Sequence, residues 1–500
     1  MTGTVAAPAT TRWRDRPSLA PLGHHDFALF WLAAIVSNAG SWMQIITVPY
    51  VVYKITGSAT WLGFSAVATM APALLFNPLS AMLTDRFERR RILIVTQYFW
   101  PENFRINDLA YSLHERGHDV TVLTGQPNYP AGRYFPGHGW TGPWHEVHNG
   151  VNVLRCPLLP RGRSNRLRLA LNYLSFAVNT CLLAPLRCRG RYDAIFVYAP
   201  SPITVTLPAL LLRALARGPV LLWVLDLWPE SITAAAGVRS ATILSAVSRL
   251  VRFIYRRCDR VLVQSLAFNH SVARLGADPA KIHFFPSWAE NLFACAPPSS
   301  GVPLPALPTG FRVMFAGNIG ASQDFPAILR AAEQLKAHTD IHWIVVGDGR
   351  MADWVKSEIA ARGLDGQVHL LGSFPVEAMP SFYAQADCLL VTLKREPIFA
   401  LTIPGKVQSY LASGRPVVAM LDGEGARIVT EAGAGKAGPA EDHQLLADNI
   451  MSLYRASAAE REQMGRSARA YYEAHFDREL LITALEGWMR EAGDASRDRG

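Results

Sequence analysis

Lys406 stands in Thr402-Ile-Pro-Gly-Lys-Val-Gln-Ser-Tyr-Leu-Ala-Ser-Gly-Arg-Pro-Val-Val418, which reads as a loop, a short helix, a stop and a buried strand. A lysine at a helix start adds its charge to free N–H groups and to the positive dipole end, and together these suit a phosphate. Pro404 fits the first helical position, where its missing N–H costs nothing, and Ile403 before it is pushed extended. A second candidate is Gly317-Asn-Ile-Gly320, which follows the apolar run Phe311–Ala316. Glycines after a strand let the backbone approach a diphosphate closely. A third is Asp226-Leu-Trp-Pro-Glu-Ser231, after the apolar run Val220–Leu225. Ligands of open α/β sheets sit at strand C-termini, so Asp226 and Glu230 are placed for a cleft. Plainer readings stand beside these: an exposed lysine on a core helix, a capping aspartate and a solvated glutamate.

The surrounding pattern supplies the elements. Val407, Tyr410 and Leu411 fall on one helical face, Gly414 ends the helix and Pro416 prevents its continuation. Val417 to Leu421 has strand length. Arg91–Gln97 reads as a strand, a helix follows to Arg116, and Asp119–Leu123 is the next strand: a βαβ opening. Asp193–Tyr198 and Val220–Leu225 read as central parallel strands, Cys258–Ser265 as a further one, and Ile282–Ser287 as the close. A Pro-rich linker, 296–309, leads to the strand Phe311–Ala316, the strand and turn Trp343–Gly349, and then the runs Val368–Pro375 and Asp387–Val391. The expected class is therefore α/β, with Rossmann-like domains over 91–295 and 310–478 and a closing amphipathic helix in 479–500.

The first ninety residues differ. Residues 1–25 are rich in Ala, Thr, Pro and Arg and read as a disordered tail. Phe27–Tyr53 and Ile55–Thr84 carry no charge, and each can span a bilayer. Arginines flank the pair on both outer sides with only Lys54 between, so residues 26–90 are expected to be a transmembrane helical hairpin with cytoplasmic ends. Asp85-Arg-Phe-Glu-Arg-Arg-Arg91 resembles the loop after the second helix of major-facilitator transporters. Farther on, Arg161, Arg163, Arg166 and Arg168 lead into the uncharged Leu169–Leu186. That run is expected to be an interfacial helix on anionic lipid, with a core helix or a third span as alternatives. The net charge of +9 suits anionic partners, and no nucleic-acid motif accompanies it. Six cysteines without a Cys-x-x-Cys pair fit reduced thiols rather than zinc. No Asp-x-Asp occurs, so no metal is expected.

From about Arg91 onward the chain resembles retaining family-four glycosyltransferases of the two-Rossmann GT-B type, closest to the colanic-acid and O-antigen branch. The Asp226-Leu-Trp-Pro-Glu230 motif, the Gly317–Gly320 turn before Gln323 and the Lys406 stretch carry the resemblance. It implies a nucleotide-sugar donor site of Gly317, Asn318, Gly320, Gln323, Gly347, Asp348, Pro404, Gly405 and Lys406, with Phe374 in the loop that faces the base. The chain also departs from the family. The loop after the first strand lacks the usual Gly-Gly pair and offers Asn103 and Arg105 instead. Leu401 and Ser409 stand where two glutamates are usual, leaving Glu396 to approach from the preceding loop.

The resemblance implies transfer of a sugar, with retention and without metal, to a lipid-linked or saccharide acceptor. Lys406 would hold the leaving diphosphate, and Asp226 and Glu230 would orient hydroxyls. The expected location is the cytoplasmic face of the inner membrane. Two alternatives belong to other classes. One is a nucleotide-sugar 2-epimerase, which shares both Rossmann halves. The other is a transport or scaffold protein, which the missing transporter helices disfavour.

Overall fold

The computed structural model describes residues 25–61, 63–64, 67–68, 89–162, 166–236, 240–293 and 303–498. The chain divides into two compact units, residues 1–88 and 89–500. In the first, His25–Thr56 is a single helix of 32 residues with Pro49 inside it. The expected tail and most of the second apolar run lie outside the described residues, and the expected hairpin is not itself described.

The larger unit holds two parallel sheets. In the first, β1 (Arg91–Val95), β2 (Asp119–Gly125), β3 (His145–His148), β4 (Val151–Cys156), β5 (Ala194–Ala199), β6 (Val220–Val224), β7 (Arg260–Val263) and β8 (Ile282–Phe284) lie in the order β3-β4-β2-β1-β5-β6-β7-β8. All pairs are parallel except β3 with β4. Every residue of β5 and β6 is buried, because helices cover both faces of a parallel sheet. β1 sits between β2 and β5, so the strand that opens the unit is also central to it.

The second sheet comprises β9 (Phe311–Ala316), β10 (Ile341–Val346), β11 (Val368–Gly372), β12 (Cys388–Thr392), β13 (Val417–Met420) and β14 (Gly435–Gly438), in the order β11-β10-β9-β12-β13-β14. In both sheets the order reverses beside the first strand, at β1/β5 and β9/β12. Such a reversal opens a crevice at the strand C-termini.

The closing helix fills nearly the whole of the expected 479–500. It runs Arg478–Arg497, starts on the Asp477 side chain, and crosses back to the first sheet. Leu481, Ile482, Leu485 and Met489 join the core that contains Ile92, Ile94 and Phe196. Arg478 pairs with Asp108 at 2.9 Å and Glu486 with Arg116 at 2.6 Å.

The uncharged run after Arg161 forms the helix Arg166–Arg187, and Phe176, Ala184 and the adjoining Cys188 are core residues of the first sheet. Among the described residues it supplies the one segment long and apolar enough to cross a membrane, Leu167–Arg187. Its polar interruptions turn inward: Asn172 accepts from Gln97 at 2.7 Å, and Asn179 donates to the Pro157 carbonyl at 2.9 Å. Leu167, Leu171, Leu174, Val178, Leu182 and Leu186 are exposed at helical spacing. A helix that simply closed a water-facing core would carry its polar residues on that side.

Candidate active site

The helix around Lys406 spans Gly405–Ala412, and Pro404 is its N-cap rather than its first residue. Val407, Tyr410 and Leu411 are fully buried, and Gly414 beyond the helix end has φ +66°. Lys406 and Tyr410 lie one turn apart, on the same side. Both meet the turn after β9. The Tyr410 hydroxyl accepts from the Ala316 N–H at 3.1 Å. The Lys406 ammonium donates to Gln323 Oε1 at 2.8 Å and lies 3.6 Å from the centroid of the Phe315 ring. Burial pushes the Lys406 amine down to about 7.

Glycines make this approach possible. Gly317 has φ +131°, and a Cβ there would stand 2.7 Å from Lys406 Cε. Gly347 has φ +144°, and its Cβ would fall 1.9 Å from the Gly317 carbonyl oxygen. The two turns are laced together, since Gly317 N–H donates to Val346 O and Ile319 N–H to Asp348 O, each at 2.8 Å. Asp348 itself is spent on this turn, its carboxylate accepting from Gly349 N–H at 2.7 Å. Asn318 fills the space left by the missing side chains of Gly320 and Gly349. Gln323 is fixed at its other end by Thr392, whose hydroxyl donates to its carbonyl. Six expected donor-site residues therefore form one connected surface with Lys406.

Two clefts flank that surface. The smaller, about 480 Å³, is walled by Asp226 and Ser231 of the first sheet's domain and by Ser322, Lys394, Glu396 and Thr402 of the second. Asp226 accepts from the Ser231 hydroxyl; burial raises its carboxyl above the usual value while such hydrogen bonds oppose the rise. Glu396 reaches the same cleft from the loop before Pro397. The larger cleft, about 710 Å³, is lined by Asn103, Arg105, Asp108, Trp288 and Glu290 of the first domain and by Val376 and Gly405 of the second. Arg105 pairs there with Glu290 at 2.9 Å.

Two expectations need correcting. Glu230 does not stand beside Asp226 in the cleft wall. It begins the helix Glu230–Ala236, and that turn aims its carboxylate at Arg274, 3.1 Å away. Phe374 lines neither cleft; it packs edge-on against Phe382 with centroids 4.8 Å apart.

Other residues of the site were not singled out from sequence. Lys394 places a second ammonium-bearing side chain in the smaller cleft, its main-chain N–H donating to Ser322 O at 2.9 Å. Its position just after the apolar strand Cys388–Thr392 was the available signal. Glu102 is buried, and accepts main-chain N–H groups of Asn128, Tyr129 and Phe99 at 2.8, 2.7 and 3.3 Å. Burial pushes its carboxyl up to about 7 against those hydrogen bonds. It ties the loop after β1, which lines the larger cleft, to the loop after β2. Nothing in its spacing marks such a strap.

A cation and a helix start over a glycine turn, beside clefts between two Rossmann-like domains, fit the binding of a phosphate-bearing ligand. Residues 103–288 match the family described as glycosyl transferase 4-like domain, and residues 310–456 match glycosyl transferases group 1. Fold and matches together define a glycosyltransferase of the GT-B type.

Among curated relatives, the chain is 28% identical over 310 residues to the "Probable glycosyltransferase WbjE" of Pseudomonas aeruginosa, covering 60% of this chain and 76% of the relative. It is 25% identical over 315 residues to the "Putative colanic acid biosynthesis glycosyl transferase WcaI" of Escherichia coli K12, covering 60% and 75%. Among solved structures, Anabaena Alr3699/HepE in complex with UDP aligns with TM-score 0.58 and 17% identity, over 79% of this chain and 98% of that one. Residues 16–103 match a different family, described as transmembrane secretion effector. That match runs through β1 and into its loop, so the same Arg91–Val95 that pairs as a strand also fits a membrane-protein pattern.

Proposed function

We propose that this glycosyltransferase moves a hexosyl or N-acetylhexosaminyl group from a UDP-linked sugar to a lipid-linked or saccharide acceptor, with retention, in cell-envelope or exopolysaccharide synthesis. The observation that carries the reading is Lys406 lying across the Gly317 turn, one residue after Gly405, which lines the larger interdomain cleft. As the glycosidic bond breaks, negative charge grows on the leaving diphosphate. A fixed cation, a helix start and nearby main-chain N–H groups stabilise that charge without reorganising. Lys406, the Gly405 end of the helix and the Gly317–Gly320 turn take this role, and Lys394 adds positive potential from the smaller cleft. Asp226 orients a hydroxyl across that cleft. Glu396 serves the donor's ribose or sugar. Asn103 and Arg105 receive the acceptor in the larger cleft. The leaving phosphate takes the acceptor proton on the face of attack, so no pair of carboxylates with glycosidase spacing is needed. No metal takes part.

The partner surface is an anionic membrane. The exposed leucine and valine stripe of Arg166–Arg187, with Arg161 before it and Arg187 and Arg189 at its end, supports seating at the lipid interface. The helix His25–Thr56 supports anchorage at the cytoplasmic face. Flotation with phosphatidylglycerol-containing vesicles tests this.

The deciding experiment offers UDP- and GDP-sugars with a polyprenyl-phosphate sugar acceptor, and reads the product's anomeric configuration by NMR. Acceptor-dependent release of nucleoside diphosphate with an unchanged anomeric centre is expected. Conversion of the donor to its 2-epimer without acceptor would instead establish the epimerase alternative.

A further inference from the structure

The second domain has another cleft, at the opposite edge of its sheet from the Gly317 turn. Its walls come from Asp387, which precedes β12, from Arg415 and Pro416, which precede β13, and from the helix Ala458–His475. Its volume is about 580 Å³. Arg415, Arg461, Arg466 and Arg469 line it, against the carboxylates of Asp387 and Glu462. The floor is main chain: the helix crosses so close that a Cβ on Gly465 would lie 2.1 Å from the Gly414 carbonyl oxygen.

The arginines are held in place. Arg415 donates to Ala384 O, Arg461 to Leu453 O at 3.1 Å, and Arg469 to Ala412 O at 2.7 Å. Arg466 is braced on Gln463 at 2.7 Å and pairs with Glu462 at 3.8 Å, and Arg469 also pairs with Glu473 at 2.7 Å on the outer side of the helix. Anchoring to helix-end carbonyls is sufficient reason for one or two of these groups. It does not account for four converging on one hollow, since each guanidinium carries five N–H donors in a fixed fork. Asp387 is partly engaged elsewhere, accepting from the Arg312 main-chain N–H at 2.9 Å. Glu462 is exposed at the rim. Burial disfavours the Arg415 charge and outweighs the support it takes from Asp387 and Glu462, with Arg312 adding to the cost, so a bound anion would favour the charged form. Rigid guanidinium forks around a backbone floor match phosphate oxygens in geometry as well as sign.

We propose that this cleft is a second anion site, separate from the donor site, for a compact polyanion with two or more phosphate groups. The inference goes beyond the transferase reading and does not depend on it. Inorganic polyphosphate and the diphosphate end of a free nucleotide share the required chemistry. The helix Gly405–Ala412 links the two sites: Lys406 lies at its start, and the Ala412 carbonyl held by Arg469 at its end, about 9 Å along the axis.

The test is isothermal titration of the full chain in detergent with pyrophosphate, tripolyphosphate and UDP, in wild type and in Lys406→Met, which lacks the donor-site cation. Saturable pyrophosphate binding that survives Lys406→Met is expected. In that background, Arg466→Gln should weaken binding about tenfold and Glu462→Gln should tighten it by a similar factor, because both side chains sit at the rim and act through charge. Both rim residues are exposed, so folding is preserved, and circular dichroism checks it. Pyrophosphate and tripolyphosphate binding more tightly than UDP assigns the site to inorganic anions, and the reverse order to nucleotides. Loss of all binding in Lys406→Met, or binding there that ignores both rim substitutions, overturns the proposal and leaves the arginines as helix caps.

Discussion

Lys406 passes over Gly317 so closely that a single added methyl group would stand 2.7 Å from its Cε. The lysine therefore depends on the glycine twice, for the space and for the turn itself, whose φ of +131° an L side chain rarely adopts. Gly317→Ala is expected to displace the ammonium from its place above Phe315. Donor kcat/KM should fall on the order of 100-fold, equivalent to roughly 3 kcal/mol of lost diphosphate stabilisation. Backbone strain should lower stability by about 1–3 kcal/mol. Steady-state kinetics beside denaturant melts checks both; normal kinetics in a destabilised variant would detach the turn from the chemistry.

Removing the lysine should act in opposite directions on activity and stability. Its amine titrates at about 7 in the folded protein because it is buried, against about 10.4 in an unfolded chain. Between those values the unfolded state binds more protons, so stability rises with pH through the window. Below about 7 the full cost of charging the buried amine is present. Lys406→Met should thus lose on the order of 100-fold or more in turnover yet be more stable than wild type near pH 6, by roughly 2 kcal/mol after allowing for the lost cation–π contact. The gain should vanish near pH 10.5. Thermal melts across that range measure it, and a variant less stable at pH 6 would refute the assignment.

The same amine sets a pH profile. Diphosphate recognition needs the charged form, and kcat/KM reports the free enzyme. It should fall as pH rises through about 7. Bound donor favours the ammonium, so the corresponding limb of kcat should lie at higher pH. Lys406→Arg keeps its charge throughout and should remove the limb, whatever its absolute rate. A limb unchanged in Lys406→Arg would assign it to another group.

The fold was readable where burial on both faces forced continuous apolar runs. Val220–Val224 and Phe311–Ala316 are buried almost throughout, and their sequences say so. The antiparallel edge β3 is His-Glu-Val-His and the closing strand β14 is Gly-Lys-Ala-Gly, and neither run signals a strand, because edge strands need little apolar surface. Lys406 was legible because proline, glycine and lysine mark a helix start locally. Glu230 was not: its partner Arg274 lies 44 residues away, and only the packed structure brings them together. The direction in which Asn172 and Asn179 face was hidden for a related reason. They interrupt an apolar run as breaks at a water face would, but they point inward to polar partners while the leucines face out.

Divalent metal should be dispensable. The sequence has no Asp-x-Asp, and the described residues contain no group of three or more His, Cys, Asp or Glu able to hold an ion. In the proposed mechanism, charge on the diphosphate is met by Lys406 and the helix start instead. Turnover in excess EDTA is expected to match that in magnesium within about twofold, since electrostatic stabilisation is already fixed in the protein. Complete loss in EDTA, restored by manganese, would count against this reading.

The last prediction concerns the junction between the two units. Residues 1–88 form one and 89–500 the other, and the transporter-like match continues to residue 103, past that boundary. We propose that two coding segments were joined at this shared stretch. Physically the second unit owns it. Arg91 N–H donates to the Asp193 carboxylate at 2.8 Å, its guanidinium lies 4.7 Å from the Tyr192 ring centroid, and the Arg90 carbonyl accepts from Asp119 N–H at 2.9 Å. Ile92, Leu93, Ile94 and Val95 are fully buried between β2 and β5. A chain that begins with Met followed by Arg90 keeps all of these contacts. It is expected to fold, bind donor and retain turnover on a soluble acceptor analogue within about threefold, because surface losses away from such features cost little. Membrane retention should weaken, and the stripe of Arg166–Arg187 should keep part of it. A chain that begins after Val95 lacks the central strand and should not fold, since the core on both faces of the sheet would open. Fractionation and assay of all three forms in detergent decides the matter. A form starting at Arg90 that is insoluble, or folded but inactive, would make the N-terminal helix part of the enzyme.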